Sequence, residues 1–174
     1  MSAGTVLTLF LFNIVVYNIP LLYGTVGEIV TEKAGSLNLG VEGIMAVGAI
    51  FGYLVGCYAN SMLLGLLVSF LAAGLCGLLF AFLTVSLQAN QNVTGLTITT
   101  FGTGLYFFVG KGLGSSWPAM QGSDSLVRGF TAIEIPLLSK IPVLGKVFFS
   151  HSILVYLGVI IAVAVWFYLS RTRL

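Results

Sequence analysis

The stretch GEIVTEKAGSLNLGVEGIMAVGAIFG, residues 27–52, interrupts an otherwise almost uncharged part of the chain. Residues 1–27 carry no charged side chain, and residues 43–110 carry none either. A charged, glycine-rich stretch between two long apolar segments is typical of a polar junction between two membrane-spanning helices. The junction holds three of the protein's five carboxylates: Glu28, Glu32 and Glu42.

The composition excludes a soluble domain. Of the 174 residues, 58% are hydrophobic and only 7% are charged, whereas a soluble domain carries about 25% charged residues. The surrounding solvent must therefore be lipid, in which backbone polar groups bond within helices. The net charge is only +2, and no basic patch is present, so the expected partner is the lipid bilayer and not nucleic acid.

Five apolar segments are each long enough to span the hydrocarbon core as a helix, which takes roughly 20 residues. The sequence therefore predicts an all-α polytopic membrane protein with a single transmembrane domain over residues 1–174. One long polar loop is predicted at residues 112–149. The predicted helices cover residues about 5–30, 39–58, 61–87, 93–111 and 150–170.

The second helix is predicted to begin near Asn38, because asparagine is a favourable N-cap residue. Glu42 would then lie in the first turn, where the helix dipole favours a carboxylate by about 0.3–1 kcal/mol. Its position between Gly40 and Gly43 predicts an irregular start to the helix, which is tolerated at membrane depth only where protein or a water-filled cavity covers it. We assign these four residues to a structural hinge and leave open how deep Glu42 lies in the membrane.

Small residues recur at every fourth position along the second and third helices. Such stripes let two helix backbones approach closely, which drives association where no hydrophobic effect operates between helices. The residues predicted to mediate this packing are Gly48, Gly52, Gly56, Gly65, Ser69, Ala73, Gly77 and Ala81.

No catalytic centre or cofactor site is predicted. Gly110-Lys111 resembles the end of a phosphate-binding loop, but Leu105 stands where that motif requires glycine, and Gly112 follows the lysine. His151 is the only histidine in the sequence and lies at the start of the last helix. Neither a zinc site nor a histidine-based triad can be assembled from it. We therefore expect no enzyme activity and no bound metal.

Residues 27–49, GEIVTEKAGSLNLGVEGIMAVGA, resemble the signature region of permease subunits of bacterial ABC importers for nucleosides. This branch works with a lipoprotein receptor of the basic-membrane-protein type and is related to the ribose and branched-chain amino acid permeases. Three further stretches match in order, so that the resemblance covers the chain from about Tyr17 onward. They are NQNVTGLTITTFGTGLYFF (90–108), IPLLSKIPVLG (135–145) and FYLSRTRL (167–174).

The resemblance implies a pore-forming subunit in the transport of a nucleoside or a similar small polar solute. In such importers two permease subunits form the path, ATP-binding subunits drive it, and an extracytoplasmic lipoprotein delivers the substrate. Asn92, Thr97 and Thr100 are candidates to line this path, although threonines can also bond their own helix backbone. An ATP-independent channel or secondary transporter remains an alternative, as does a structural membrane protein.

Charge alone does not orient the chain. If the basic residues after the last helix are cytoplasmic, three basic residues lie inside and four outside. The resemblance places the segment after RTRL in the cytoplasm, which puts the 112–149 loop and the N-terminus outside the bacterial plasma membrane. Family members continue well beyond this segment, so the chain is expected to be a truncated permease of little more than the first half.

Overall fold

The computed structural model describes residues 3–114, 131, 133–134 and 144–172. A five-residue π-helix, Phe82–Ser86, directly extends the α-helix Met62–Ala81. Two short strands, β1 (Ile133–Glu134) and β2 (Ser150–His151), pair in antiparallel fashion. The helices are α1 (Ala3–Lys33), α2 (Val41–Tyr58), α3 (Met62–Ala81), α4 (Gln91–Gly114), α5 (Leu144–Phe148) and α6 (Ile153–Arg171).

Five of these helices are long and apolar enough to cross a membrane: α1, α2, α3 with its π-helical extension, α4 and α6. The predicted all-α fold with five spanning helices is therefore confirmed. Many large apolar side chains lie on the surface, as illustrated by Phe70 and Phe108, which are 78% and 76% exposed. Lipid or other protein must cover such a surface.

The helix bounds differ from the predicted ones by a few residues. α4 begins at Gln91 because the Asn90 side chain caps it: Oδ1 accepts the backbone N–H groups of Asn92 and Val93 at 3.0 and 3.2 Å. α6 begins at Ile153 and not at 150, because residues 150–151 form β2. Most of the predicted 112–149 loop lies outside the described residues.

The chain divides into two compact units, which are described separately. The first contains α1 up to Val30, together with β1, α5, β2 and α6. The second begins at Thr31 and contains α2, α3 and α4.

In the first unit, α1 and α6 are joined by Tyr23. Its hydroxyl donates a 2.8 Å hydrogen bond to the carbonyl oxygen of Leu154. Its ring lies so close to Gly158 that a Cβ on that glycine would be 3.1 Å from the ring. The absence of a side chain at Gly158 therefore makes room for the tyrosine.

His151 is the most deeply buried large side chain among the described residues, with 1% of its surface exposed. Its Nε2 lies 2.6 Å from the carbonyl oxygen of Val147 and therefore carries a proton, because a carbonyl only accepts. Its ring stacks on Phe12 with 4.5 Å between centroids. Nδ1 has no hydrogen-bond partner within the described part of the chain.

In the second unit, α2 and α3 meet through small residues. A Cβ on Gly52 would lie 2.6 Å from Ser69 Cβ and 2.8 Å from the carbonyl oxygen of Gly65. Gly65 in turn faces Gly52 and Gly56, since an added Cβ would come within 3.1 Å of Gly56 Cα. The two backbones are in direct contact here, so a larger residue would separate the helices.

This α2–α3 contact extends to Gly48, where an added Cβ would lie 3.1 Å from Ala73 Cβ. It does not include the whole predicted stripe. A Cβ on Gly77 would meet no atom within 4 Å, and Ala81 is exposed. Six of the eight predicted packing positions therefore lie along the observed contact, and the last two lie beyond it.

Candidate functional site

The junction between α1 and α2 begins with a reversal of the chain at Gly35. Its φ of +86° is a left-handed conformation that glycine adopts without strain. Its N–H donates to the carbonyl oxygen of Glu32 at 2.9 Å, and the N–H of Ser36 donates to that of Thr31 at 3.0 Å. These bonds satisfy carbonyls at the end of α1 and turn the chain into the loop of residues 34–40.

The prediction that Asn38 caps α2 is wrong. α2 begins at Val41, and Gly40 occupies the cap position, with its carbonyl oxygen accepting the N–H of Ile44 at 3.0 Å. Asn38 Oδ1 instead accepts the N–H of Gly40 at 2.9 Å. A short asparagine side chain readily bonds the backbone two residues ahead, and that bond competes with capping. The buried Asn38 therefore stabilises the loop before the helix.

Hydrogen bonds connect the 34–40 loop to α4. The N–H of Leu37 donates to Gln91 Oε1 at 2.8 Å. Farther along the loop, Thr99 Oγ1 donates to the carbonyl oxygen of Leu39 at 2.8 Å. The loop thus lies beside the first half of α4, a relationship that the sequence did not indicate.

Four glycines bring the backbones of this junction and of α4 into contact. A Cβ on Gly43 would lie 2.5 Å from Thr99 Cα, and one on Gly102 would lie 2.7 Å from Gly43 Cα. A Cβ on Gly95 would lie 2.9 Å from the backbone nitrogen of Gly40. We call Gly40, Gly43, Gly95 and Gly102 the glycine crossing.

Sequence reasoning identified Gly40 and Gly43 but missed their partners on α4. Gly95 and Gly102 are seven residues apart and so share one face of a helix, a signal that was present in the sequence. Glu42, the fourth residue of the predicted hinge, is exposed in the first turn of α2. Its carboxylate therefore lies where the helix dipole favours a negative charge.

The predicted path residues Thr97 and Thr100 lie on another face of α4. They line an open cavity of about 770 Å³. Each hydroxyl donates to its own helix: Thr97 to the carbonyl oxygen of Val93 at 2.8 Å and Thr100 to that of Leu96 at 2.9 Å. The hydroxyl oxygens keep the capacity to accept. Asn92 is exposed in the first turn of α4.

A second cavity, of about 660 Å³, lies between α2 and α4. The rings of Tyr106 and Phe107 meet edge to face, with 5.6 Å between centroids and an interplanar angle of 75°. The Nζ of Lys111 lies 5.6 Å from the centroid of Phe107, a cation–π contact. We call this cavity the aromatic groove. It is lined by Ala49, Ile50, Tyr53, Tyr106, Phe107, Gly110 and Lys111.

The groups that line the two cavities suit binding by hydrogen bonds and stacking. Within a mainly apolar lining, they are hydroxyls, aromatic rings and one ammonium group. Over the residues that the structure describes, no three His, Cys, Asp or Glu side chains lie close enough together to hold a metal ion.

Comparison with known proteins identifies the family. Residues 10–174 match the family described as the permease component of branched-chain amino acid transport systems. The chain belongs to this permease family. The permease is accordingly a multi-pass membrane protein, in agreement with its five spanning helices.

Three curated relatives carry names that refer to ABC transporters. A Haloferax volcanii protein provisionally named a glucose ABC transporter permease is 36% identical over 158 residues, 88% of this chain and 45% of the relative. The nucleoside ABC transporter permease protein of Lactococcus lactis is 30% identical over 180 residues, 99% of this chain and 55% of the relative. The guanosine ABC transporter permease protein of Bacillus subtilis is 34% identical over 167 residues, which are 90% of this chain and 50% of the relative.

The permease spans about half the length of these curated relatives. No solved structure is significantly similar to it. The relatives thus bear out the ABC permease resemblance, and their names include both a sugar and nucleosides as substrates.

Proposed function

We propose that the permease forms part of the path of an ABC importer for nucleosides. The observation that carries the proposal is the similarity to two permeases named for nucleoside and guanosine transport, at 30% and 34% identity over 99% and 90% of the chain. The cavities of α4 are consistent with this role, because they offer a few polar groups within an apolar lining.

The proposed transporter contains a second permease subunit, cytoplasmic ATP-binding subunits and an extracytoplasmic substrate-binding lipoprotein. ATP hydrolysis belongs to the ATP-binding subunits, so the permease itself is not an enzyme. Nucleotide and loaded receptor would switch the path between outward and inward access, because each binds the two states with different affinity.

In the proposed orientation, the N-terminus and residues 112–149 lie outside the plasma membrane, and the 34–40 loop faces the cytoplasm. The hydrogen bond between Leu37 and Gln91 supports the alternation of the helices that this orientation assumes, since it brings the loop before α2 beside the start of α4. Helices that cross in alternate directions require these two ends to lie on the same side.

The orientation can be tested by labelling cysteines in intact cells. The native Cys57 and Cys76 are free thiols and are first replaced by alanine. A cysteine at Ser125 is then expected to react with an impermeant thiol reagent from outside, whereas a cysteine at Ser36 reacts only after the cells are opened. The reverse pattern would invert the proposed topology.

Within this framework, Thr97 and Thr100 line the path and Asn92 lies near its cytoplasmic end. Their hydroxyl and amide groups can accept hydrogen bonds from a ribose or a base. The support is the position of the two threonines on one open face of α4.

Glucose is the second candidate substrate, because the Haloferax volcanii relative named for it is 36% identical over 88% of the chain. Uptake of labelled guanosine and labelled glucose by cells with the complete transporter distinguishes the two. We expect guanosine uptake that depends on ATP and on the receptor. Calorimetric titration of the receptor with nucleosides, sugars and amino acids provides an independent measure. Uptake of glucose alone would assign the permease to sugars.

A further inference from the structure

We propose that the aromatic groove between α2 and α4 binds the base of the transported nucleoside. This inference rests on the function proposed above and names the part of the chain that recognises the substrate. Tyr53 of α2 and Tyr106, Phe107 and Lys111 of α4 form the recognition surface.

The dimensions and lining of the groove suit a flat ring. Its volume of about 660 Å³ lies within the usual range of about 300–1,000 Å³ for small-molecule sites. Tyr53 and Tyr106 are both 43% exposed and Phe107 is 53% exposed, so part of each side chain is accessible from the groove. Ala49 has only a methyl group and Gly110 has no side chain, so these two positions leave room beside the rings.

The scarcity of polar groups favours a nucleobase over a sugar. Two phenol oxygens and one ammonium group are the polar side-chain groups in the lining. A purine presents two broad faces that stack on aromatic rings, and stacking of this kind changes affinity by roughly 5- to 150-fold per base. Each hydroxyl of glucose, in contrast, needs a hydrogen-bonding partner when it leaves water.

Lys111 supplies the donor that a guanine base requires. Guanine carries two adjacent acceptors, O6 and N7, which a lysine ammonium can bond. The ammonium of Lys111 lies over the ring of Phe107, with 5.6 Å between Nζ and the ring centroid. A base that stacks on this face of Phe107 would displace the ammonium, whose flexible four-carbon stem lets it move to the edge of the base and donate there.

The groove also continues the line of the proposed path. Thr100, Phe107 and Lys111 are separated by seven and four residues, so they lie along one side of α4. The same helix would thus carry both the residues that bind the base and the threonines proposed to bind the ribose. The occupants that compete with this assignment are a lipid acyl chain and another helix of the complete permease.

Photolabelling tests which occupant is present. The complete transporter is irradiated with 8-azidoguanosine, and the labelled peptides are mapped. We expect label on peptides that contain Tyr53 or residues 106–111, and protection by excess guanosine. Label confined to other segments, or no protected label, would indicate that lipid or protein fills the groove and would overturn the proposal.

Uptake kinetics give a second measure. Phe107→Leu is expected to raise KM for guanosine at least about five-fold, whereas Phe107→Trp, which retains a stacking surface, keeps KM near the wild-type value. Phe70→Leu is the matched control, because Phe70 lies exposed on α3 and outside both cavities. An unchanged KM in Phe107→Leu with normal folded yield would exclude Phe107 from substrate binding.

The two proposals fail in different ways. Guanosine uptake with unchanged KM in Phe107→Leu and label outside the groove overturns the site but leaves the nucleoside function in place. Uptake of glucose without guanosine uptake or protected label overturns both. Lys111→Gln provides a finer readout: it is expected to lower the preference for guanosine over adenosine, which lacks the O6 acceptor.

Discussion

The glycine crossing gives the sharpest test of the fold, through the substitution Gly43→Ala. The added Cβ would lie 2.5 Å from Thr99 Cα, whereas ordinary contact begins near 3.4 Å. The helices α2 and α4 would have to separate by at least about 0.9 Å, because the opposing atoms of Ile98 and Thr99 are backbone and cannot rotate away. Overpacking costs about 1–3 kcal/mol, and a clash with rigid backbone falls in the upper part of that range, about 2–3 kcal/mol. The better helix propensity of alanine offsets about 1 kcal/mol of it.

The expected net loss is roughly 1–2 kcal/mol, which corresponds to about 2–8 °C in melting temperature for a chain of this size. Melting is followed by the loss of the monodisperse size-exclusion peak of the purified permease in detergent. Gly74→Ala in α3 is the matched control, because a Cβ there would meet no atom within 4 Å. Its melting temperature should not fall.

Gly102→Ala approaches the same contact from the other helix, since its added Cβ would meet the backbone of Gly43. Once one alanine has separated the helices, the Cβ of the second alanine has a smaller steric overlap with the opposing backbone. The double variant should therefore lose less stability than the sum of the single variants. Equal melting of Gly43→Ala and Gly74→Ala would refute the backbone contact, and strict additivity would refute the shared crossing.

Three further substitutions test individual hydrogen bonds. Tyr23→Phe removes the bond to Leu154 and should lower the melting temperature by about 2–4 °C, as expected for an interhelical bond of about 1 kcal/mol; the control is Tyr17→Phe, because Tyr17 is 74% exposed on the same helix. Gln91→Leu removes the acceptor of the Leu37 N–H, so amide hydrogen exchange in residues 34–40 should accelerate while that in residues 62–81 stays unchanged. Thr97→Val should change the free energy of unfolding by no more than about 0.5 kcal/mol. It should raise KM for guanosine by about five-fold, because the hydroxyl that accepts a hydrogen bond is lost; an unchanged KM would show that Thr97 does not line the path.

The spanning helices could be predicted because their signal is local. Each needs only a long apolar run, and the charged junction at residues 27–52 separates the first two runs without ambiguity. The α2–α3 contact was accessible for a similar reason: small residues four apart, such as Gly48 and Gly52, mark one face of one helix. The end of the α2–α3 contact could not be predicted, because the residue pattern of one helix does not show how far the partner helix stays close to it.

The hydrogen bonds of the junction depend on which elements become neighbours in three dimensions. Thr97, Thr99 and Thr100 have the same side chain and lie within four positions on α4. Only Thr99 bonds across to Leu39, while the other two bond their own helix. Sequence alone cannot separate these cases, because both satisfy the hydroxyl equally well.

The prediction that Asn38 caps α2 failed because packing in three dimensions decides which hydrogen bond its side chain makes. As a residue type it suits an N-cap, but the 34–40 loop lies against Gly95 and Gln91, which fixes the loop in a conformation where the side chain reaches Gly40 instead. The competing local bond was visible as a possibility in the sequence. The packing that decides between the two bonds was not.

If the aromatic groove binds substrate as proposed, substitutions on the two sides of α4 should differ in their effects on stability and on KM. At about 100° per residue, Gly102 of the glycine crossing and Phe107 of the aromatic groove are about 140° apart around the helix axis. A substitution at Gly102 acts on a backbone contact with α2, whereas one at Phe107 changes a ring that is 53% exposed and bears little of that packing. Gly102→Ala should therefore lower melting temperature and folded yield together. Phe107→Leu should raise KM for guanosine and leave melting temperature and folded yield near their wild-type values. A loss of folded yield in Phe107→Leu as large as in Gly102→Ala would show that both residues support the packing of α4.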